Sequence, residues 1–225
     1  MYREGFVSLN KFSLQKIVGA ILILLGTGIF LSPHISDVVN QVKMKLIMQT
    51  YIESLQNISV IESENETVLT PTQSGIKTLT REERNEEIKN NWPVEAILSI
   101  EKINLLMPVI KDATMAHLDI SVSSMEGTGK PWDKNNYVIV GHRSRTYGSH
   151  FNRLDELEVT DKILVIDSDG NRYHYEVKEK KIVEEDELSV LDYHGNSELT
   201  LITCHPISVK NPSTRLVISA VEILE

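Results

Sequence analysis

A single cysteine in 225 residues leaves no partner for an internal disulfide, so no covalent staple holds this chain together. Close ligand pairs of the C-x-x-C or H-x-x-x-H kind are also missing, and zinc sites are built from such pairs. A zinc centre drawn from Cys204, His205 and His142 therefore has no spacing behind it. No motif calls for another metal or for a cofactor. Basic charge is in deficit: 23 Lys and Arg against 32 Asp and Glu give a net charge of −9. A surface of that sign repels phosphate backbones, which argues against a nucleic-acid partner. No internal repeat is present. What remains is a chain long enough for one ordinary domain with appendages.

Short strand-like runs follow one another from Val94 onward: Ala96–Ile100, Leu105–Ile110, Tyr137–Val140, Lys162–Asp167, Arg172–Lys178, Leu199–Thr203 and Leu216–Ile223. Each is bounded by turn residues, and Asp169-Gly170 between two of them is a hairpin signal. Many short strands with turn signals predict an all-β barrel or sandwich. Short helical turns are expected at Ala113–Asp119 and Phe151–Leu157. On this reading His117 and His150 sit in helices, and His174 and His194 in a strand and a loop, each as a solvent or structural histidine. The acidic run Glu184-Glu185-Asp186-Glu187 reads as a solvated turn, the alternative being that it repels or guides a cationic substrate amine near the groove.

Cys204 ends the run Leu199-Thr200-Leu201-Ile202-Thr203-Cys204 and is followed by His205-Pro206. Its thiol thus stands where a buried strand gives way to a proline-broken loop. A lone cysteine is ordinarily an inert small hydrophobe, so its company decides. His142 also ends an apolar strand, in Val138-Ile139-Val140-Gly141-His142, after a glycine that permits a turn. Arg215 opens the last strand eleven positions after the cysteine. A thiol, an imidazole and a guanidinium at strand edges form a set for acyl transfer. The thiolate attacks a carbonyl, the histidine manages the leaving-group proton, and the arginine stabilises the oxyanion. The side chain of His205 should diverge from the thiol, since strand neighbours point to opposite faces. Its backbone N–H and the adjoining Thr203 are candidates for the oxyanion site or substrate groove.

At these residues the chain resembles the sortase family, cysteine transpeptidases of Gram-positive cell surfaces. Thr200-Leu201-Ile202-Thr203-Cys204 matches the T-L-x-T-C hallmark at every fixed position, Gly141-His142 matches the G-H that closes the histidine strand, and Arg215 opens the strand after the cysteine. Phe151-Asn152-Arg153-Leu154-Asp155-Glu156-Leu157 is similar to the family's F-x-x-L-x-x-L segment. The likeness covers roughly Trp92–Glu225. Thr160-Asp161 stands where the family often has Gly-Asp, a turn substitution. Leu105–Val109 carries none of the acids with which one subclass binds calcium, and no lid-like segment with Asp-Pro precedes the strands. The resemblance is therefore to class A or class D members. It implies a closed barrel of about eight strands with the active site in a groove at one side. It also implies the reaction: Cys204 cleaves an LPxTG-like sorting signal between Thr and Gly, His142 protonates the departing amine, and an amine from a lipid II-like cell-wall precursor, or a pilin lysine, resolves the thioester. A hydrolytic cysteine peptidase and a non-catalytic wall-binding barrel are the alternatives.

The amino terminus supplies an address. Ile17–Leu31 is an unbroken run of apolar and small residues preceded by Arg3, Lys11 and Lys16. Extended to Ile35, it is predicted to be an uncleaved transmembrane anchor, since no small-x-small cleavage site follows it. The basic residues put residues 1–16 in the cytoplasm and the rest outside the cell. Apolar residues at Val38, Val42, Leu46, Ile47, Tyr51 and Leu55 predict an amphipathic helix, as a stalk or a cover for the domain. A flexible Ser/Thr/Glu-rich linker is expected over Asn57–Thr80, then a short capped helix from Thr80 to Asn90. The expected organisation is thus an anchor over residues 17–35, stalk and linker over 36–91, and a catalytic domain over 92–225.

Overall fold

Alternation with a period of two decides this architecture, because each strand must bury one face inside and present the other to whatever lies outside. The computed structural model describes residues 11–61, 90–207 and 209–223. Eight strands run β1 (Val94–Ile100), β2 (Leu105–Ile110), β3 (Val122–Ser124), β4 (Asn136–Val140), β5 (Lys162–Asp167), β6 (Arg172–Glu184), β7 (Glu198–His205) and β8 (Thr214–Ile223). They close into a barrel in the order β1-β2-β3-β4-β7-β8-β6-β5. Seven of the eight coincide with the runs read above. The eighth, β3, has three residues, too few to leave a period in the sequence, and is held by pairing with β2 and β4. Strand β6 runs six residues past its expected end because β8 continues to pair with it as far as Glu184↔Thr214.

The barrel interior is filled by one parity of each strand: Leu98 and Ile100, Met107 and Val109, Tyr137 and Ile139, Leu199 and Leu201, Leu216 and Ile218. Phe151, Leu154 and Leu157 belong to the same core, each fully buried. Their spacing is thus a packing signature, and the expected helical turn there is a 3-10 turn at Leu154–Glu156. His150 just before it is not helical, as its φ of 47° is left-handed. The short helix α2 (Met115–Leu118; α1 is described below) lies within the expected turn and carries His117, whose backbone N–H donates to the Thr114 Oγ1 cap at 3.2 Å.

The chain forms two compact units, Met1–Val42 and Lys43–Glu225. One helix, α1 (Lys11–Ile61), supplies the described part of the first and continues into the second. In the first unit Ile17, Val18, Ile21, Leu22, Ile23, Leu24 and Leu25 are all exposed. The side chains of residues 27–34, part of the expected anchor, lie outside the described residues, as do residues 1–10, 62–89 and the linker and capped helix expected there. Among the described residues no helix is long and apolar enough to cross a membrane.

In the second unit α1 reaches Ile61, so residues 57–61 of the expected linker are helical. Met44, Ile47, Met48, Tyr51 and Leu55 form a stripe on the outside of the barrel, packed on Ile110, Ile120, Ile97 and Ile166. Of the apolar face expected on this helix, Ile47, Tyr51 and Leu55 are in the stripe, whereas Val38, Val42 and Leu46 are exposed. At 3.6 residues per turn, Leu46 falls on the side of the helix opposite to 44, 47, 48, 51 and 55, which share one face.

The Thr160-Asp161 turn is more than a neutral substitution. Thr160 has φ of 81°, where a β-branched side chain collides with its own backbone. Thr160→Gly is expected to stabilise the fold by about 0.5–1 kcal/mol, the relief of that clash less the chain entropy of glycine. A urea denaturation midpoint above that of the natural chain checks it.

Candidate active site

Strands β4 and β7 pair in parallel with Val138↔Thr200 and Val140↔Ile202, and β7 and β8 pair antiparallel with Ile202↔Val217 and Cys204↔Arg215. The interior takes Tyr137, Ile139, Leu199, Leu201, Leu216 and Ile218. The opposite parity therefore faces outward: Val138 and Val140, then Ile202 and Cys204, then Arg215 and Val217. Direct cross-strand partners share a face, with Cβ atoms about 4.5–5.5 Å apart. Cys204 and Arg215 are such partners. His142 follows Val140 by two positions, and the β4–β7 pairing continues past the strand end through Gly141 N–H donating to Ile202 O at 3.1 Å.

Val140, His142, Ile202, Cys204, Arg215 and Val217 line one open groove of about 410 Å³. Val138, Ile202 and Val217 form a small apolar cluster with Met125, Val140, Val183, Val190 and Leu191, most of which floor the groove. Helix α2 contributes Met115 and Leu118 to one side, and the segment after β6 contributes Glu185, Glu187 and Leu188 to the other. Cys204 is a free thiol, partly exposed, with its strand buried behind it.

Each threonine of the T-L-x-T-C run has its own task. Thr203 is buried, and its Oγ1 donates to Gly141 O at 2.8 Å, tying the residue before His142 to the one before Cys204. Thr200 Oγ1 donates to Asn136 Oδ1 at 2.8 Å, and Asn136 Nδ2 donates to Val190 O and Asp192 O at 3.1 and 3.2 Å. That chain of bonds holds the 3-10 turn Leu188–Leu191, a wall of the groove, against the barrel. The hydroxyl of Thr203 is thus committed to the backbone, although the residue lines the groove. His205 is not among the lining residues; its carbonyl accepts from Thr214 Oγ1 at 2.6 Å.

Gly141 is required by space rather than by a turn. A Cβ there would meet Phe151 Cδ2 at 2.8 Å and Val122 Cγ1 at 2.9 Å, and Gly141 is not among the residues with positive φ. The next residue but one, Arg143, is also structural: its side chain is 5 % exposed and its Nη2 lies 2.9 Å from Asp155 Oδ2.

Three polar neighbours complete the surroundings: Asp119 and Asn136, which the sequence reading does not single out, and Glu185 of the acidic run. Asp119 Oδ1 stands 3.5 Å from His142 Nε2, longer than a well-formed hydrogen bond. Asn136 is the wall tether just described. Glu185 pairs with Arg215 at 2.8 Å, so the acidic run is not merely a solvated turn. Within the run, hydrogen bonds from Ser189 hold the Glu187 carboxyl below the usual carboxylate range, keeping that rim of the groove charged. The signal for Asn136 and Glu185 lay in register: Asn136 opens the strand paired with Thr200, and Glu185 follows the strand paired with Arg215. Nothing in the sequence pointed to Asp119.

A family model described as a sortase domain matches residues 98–223. The chain is 34 % identical over 122 residues to sortase A of Bacillus anthracis, covering 54 % of this chain and 56 % of that protein. It is 31 % identical over 149 residues to sortase D of Bacillus subtilis (strain 168), covering 64 % and 73 %. The match thus spans little more than half the length of the Bacillus anthracis protein. The structure of Listeria monocytogenes sortase A superposes with a TM-score of 0.54 at 26 % identity, covering 58 % of this chain and 88 % of that one.

Gly141→Ala is expected to destabilise the fold by about 1–3 kcal/mol, because Phe151 and Val122 are core side chains with little room to move. Urea denaturation reads the loss, and an unchanged midpoint would mean that the site collapses without strain.

Proposed function

The chain belongs to the sortase family, whose members are cysteine transpeptidases, and from that premise we propose that its barrel carries out the family reaction with Cys204 as nucleophile, His142 as proton donor and acceptor, and Arg215 as oxyanion stabiliser. The observation that carries this reading is the register pair Cys204↔Arg215 with His142 lining the same groove. The Cys204 thiolate attacks the Thr carbonyl of an LPxTG-like sorting signal, and the oxygen takes up the electron pair. Arg215 neutralises that charge with donors aimed from a fixed strand end. The intermediate collapses to a thioester as the Thr–Gly bond breaks, and His142 gives the departing glycine amine its proton. An amine of a lipid II-like cell-wall precursor, or a pilin lysine, then attacks the thioester. His142 takes the amine proton and the thiolate leaves, restoring the site.

An open groove with an apolar floor suits an extended peptide better than a small molecule, since it leaves both ends of the chain free to continue. Water in place of the amine would make the same site a peptidase, so the acceptor is the point to test. The purified protein is expected to cleave an LPxTG-type peptide and, when diglycine is added, to convert part of the product to the diglycine adduct. Cys204→Ala should abolish both, and His142→Ala should slow both by about 10²–10³-fold, the usual cost of one positioned catalytic donor. Mass spectrometry of the intact protein reads the thioester. Cleavage by Cys204→Ala above trace level would remove the nucleophile assignment.

The localisation we infer is a single-pass anchor over residues 17–35 with the barrel outside the cell. In its support, the exposed residues from Ile17 to Leu25 are apolar around the helix, and Arg3, Lys11 and Lys16 precede them. The full chain is expected to stay in the membrane pellet through alkaline carbonate extraction. Protease added to wall-stripped cells should digest the barrel; a protected barrel would reverse the orientation.

A further inference from the structure

Arg215 is held at both ends of its guanidinium. Its Nη1 donates to Pro212 O at 2.6 Å and to Thr214 O at 2.9 Å, and its Nη2 donates to Glu185 Oε2 at 2.8 Å. A guanidinium has five N–H donors. These three bonds leave Nε–H and one Nη2–H unclaimed among the described residues, and Arg215 lines the groove beside Cys204. The carboxylate is itself anchored. Glu185 follows the last pair of the β6–β8 ladder, Glu184↔Thr214, and its backbone N–H donates to Ser213 O at 2.7 Å. Its side chain is thus launched from a backbone fixed to the same turn that supplies the two carbonyls.

We propose that Glu185 is a positioning residue for Arg215: it fixes the guanidinium so that the free N–H groups stand where the oxyanion forms. The proposal rests on the reading of Arg215 as oxyanion stabiliser. Two opposed effects follow from the pair, and they differ in size. The carboxylate offsets some of the positive charge of Arg215, but it is half-exposed, and water screens that effect. The orientation effect is not screened, because a long side chain with many rotamers loses its aim once one end is released. Positioning therefore outweighs charge dilution, and removing Glu185 should slow the reaction rather than speed it.

The test compares the full chain in detergent with Glu185→Ala, Glu185→Gln, Arg215→Ala and the Glu185→Ala/Arg215→Ala double variant, using cleavage of an LPxTG-type peptide. Glu185→Ala is expected to lower kcat by about ten- to a hundredfold with KM within about threefold. Glu185→Gln, which can still accept the Nη2–H, should recover most of the loss. On the Arg215→Ala background Glu185→Ala should have no further effect, as two residues acting through one contact are not additive. An equal loss on both backgrounds would show a merely structural role and overturn the proposal, as would an unchanged or raised kcat for Glu185→Ala. If Arg215→Ala itself fails to slow cleavage, the oxyanion reading falls and the positioning role with it. If Arg215→Ala slows cleavage and Glu185→Ala does not, only the positioning role falls. A second readout needs no substrate: the Arg215 Nε–H resonance should be sharp in the natural chain and broadened in Glu185→Ala, and an identical resonance in both would also overturn the proposal.

Discussion

The parallel pairing of β4 with β7 is the constraint on which the site depends. Neither strand carries the proposed site alone: one ends near an imidazole and the other at a thiol. Their register, fixed at Val138↔Thr200 and Val140↔Ile202, brings those ends together on one face. Two hydrogen bonds extend that register past the end of β4, Gly141 N–H to Ile202 O and Thr203 Oγ1–H to Gly141 O. Both fall where the backbone leaves the sheet, the point at which strand order is normally lost. A buried hydroxyl bonded to a backbone carbonyl contributes only about 1 kcal/mol net, yet leaving that carbonyl unpaired costs about 1–3 kcal/mol. The threonine before the cysteine thus holds the two strand ends together through the backbone.

Much of this was legible because parity propagates. Once Leu199–Thr203 and Tyr137–Val140 read as strands, alternation alone puts Cys204 and His142 on the faces opposite Leu201 and Ile139. What escaped was information that the linear pattern does not carry. Strand β3 is defined by its neighbours and not by its own three residues. The stripe of α1 on the barrel holds the expected Ile47, Tyr51 and Leu55 but also Met44 and Met48, while Val38, Val42 and Leu46 are exposed. Gly141 looked like a turn glycine, but its demand is steric and comes from Phe151, ten positions away. Asp119 and Glu185 reach His142 and Arg215 from other elements, and charge at an exposed position leaves no periodic trace.

The groove wall shows how polar residues shape an apolar surface. Val190 and Leu191 cover Val138, Ile202 and Val217, but apolar contact by itself does not fix where a short 3-10 turn sits. The buried Asn136 amide supplies that position, giving both of its donated bonds to Val190 and Asp192 carbonyls while accepting from Thr200. Direction comes from the hydrogen bonds and adhesion from the apolar floor. The same division holds across the groove, where the Arg215 guanidinium is set by carbonyls and a carboxylate at the edge of that apolar cluster.

His142 and Cys204 lie 62 positions apart in the chain and line one groove at the ends of strands that share a direction. Strands β5 and β6, which lie between them, belong to the same barrel, paired with β1 and β8, and the groove wall follows β6 in the same stretch of chain. The length of that stretch does not enter the register, which is set by β4 and β7 side by side. Loops within that stretch can therefore change length, and with them the surface offered to a ligand, without altering the register of β4 on β7. The guanidinium is tied differently from the thiol and the imidazole: its strand is paired with β6 and its side chain bonded to Glu185, so the loops of the groove are free to vary where β6 is not.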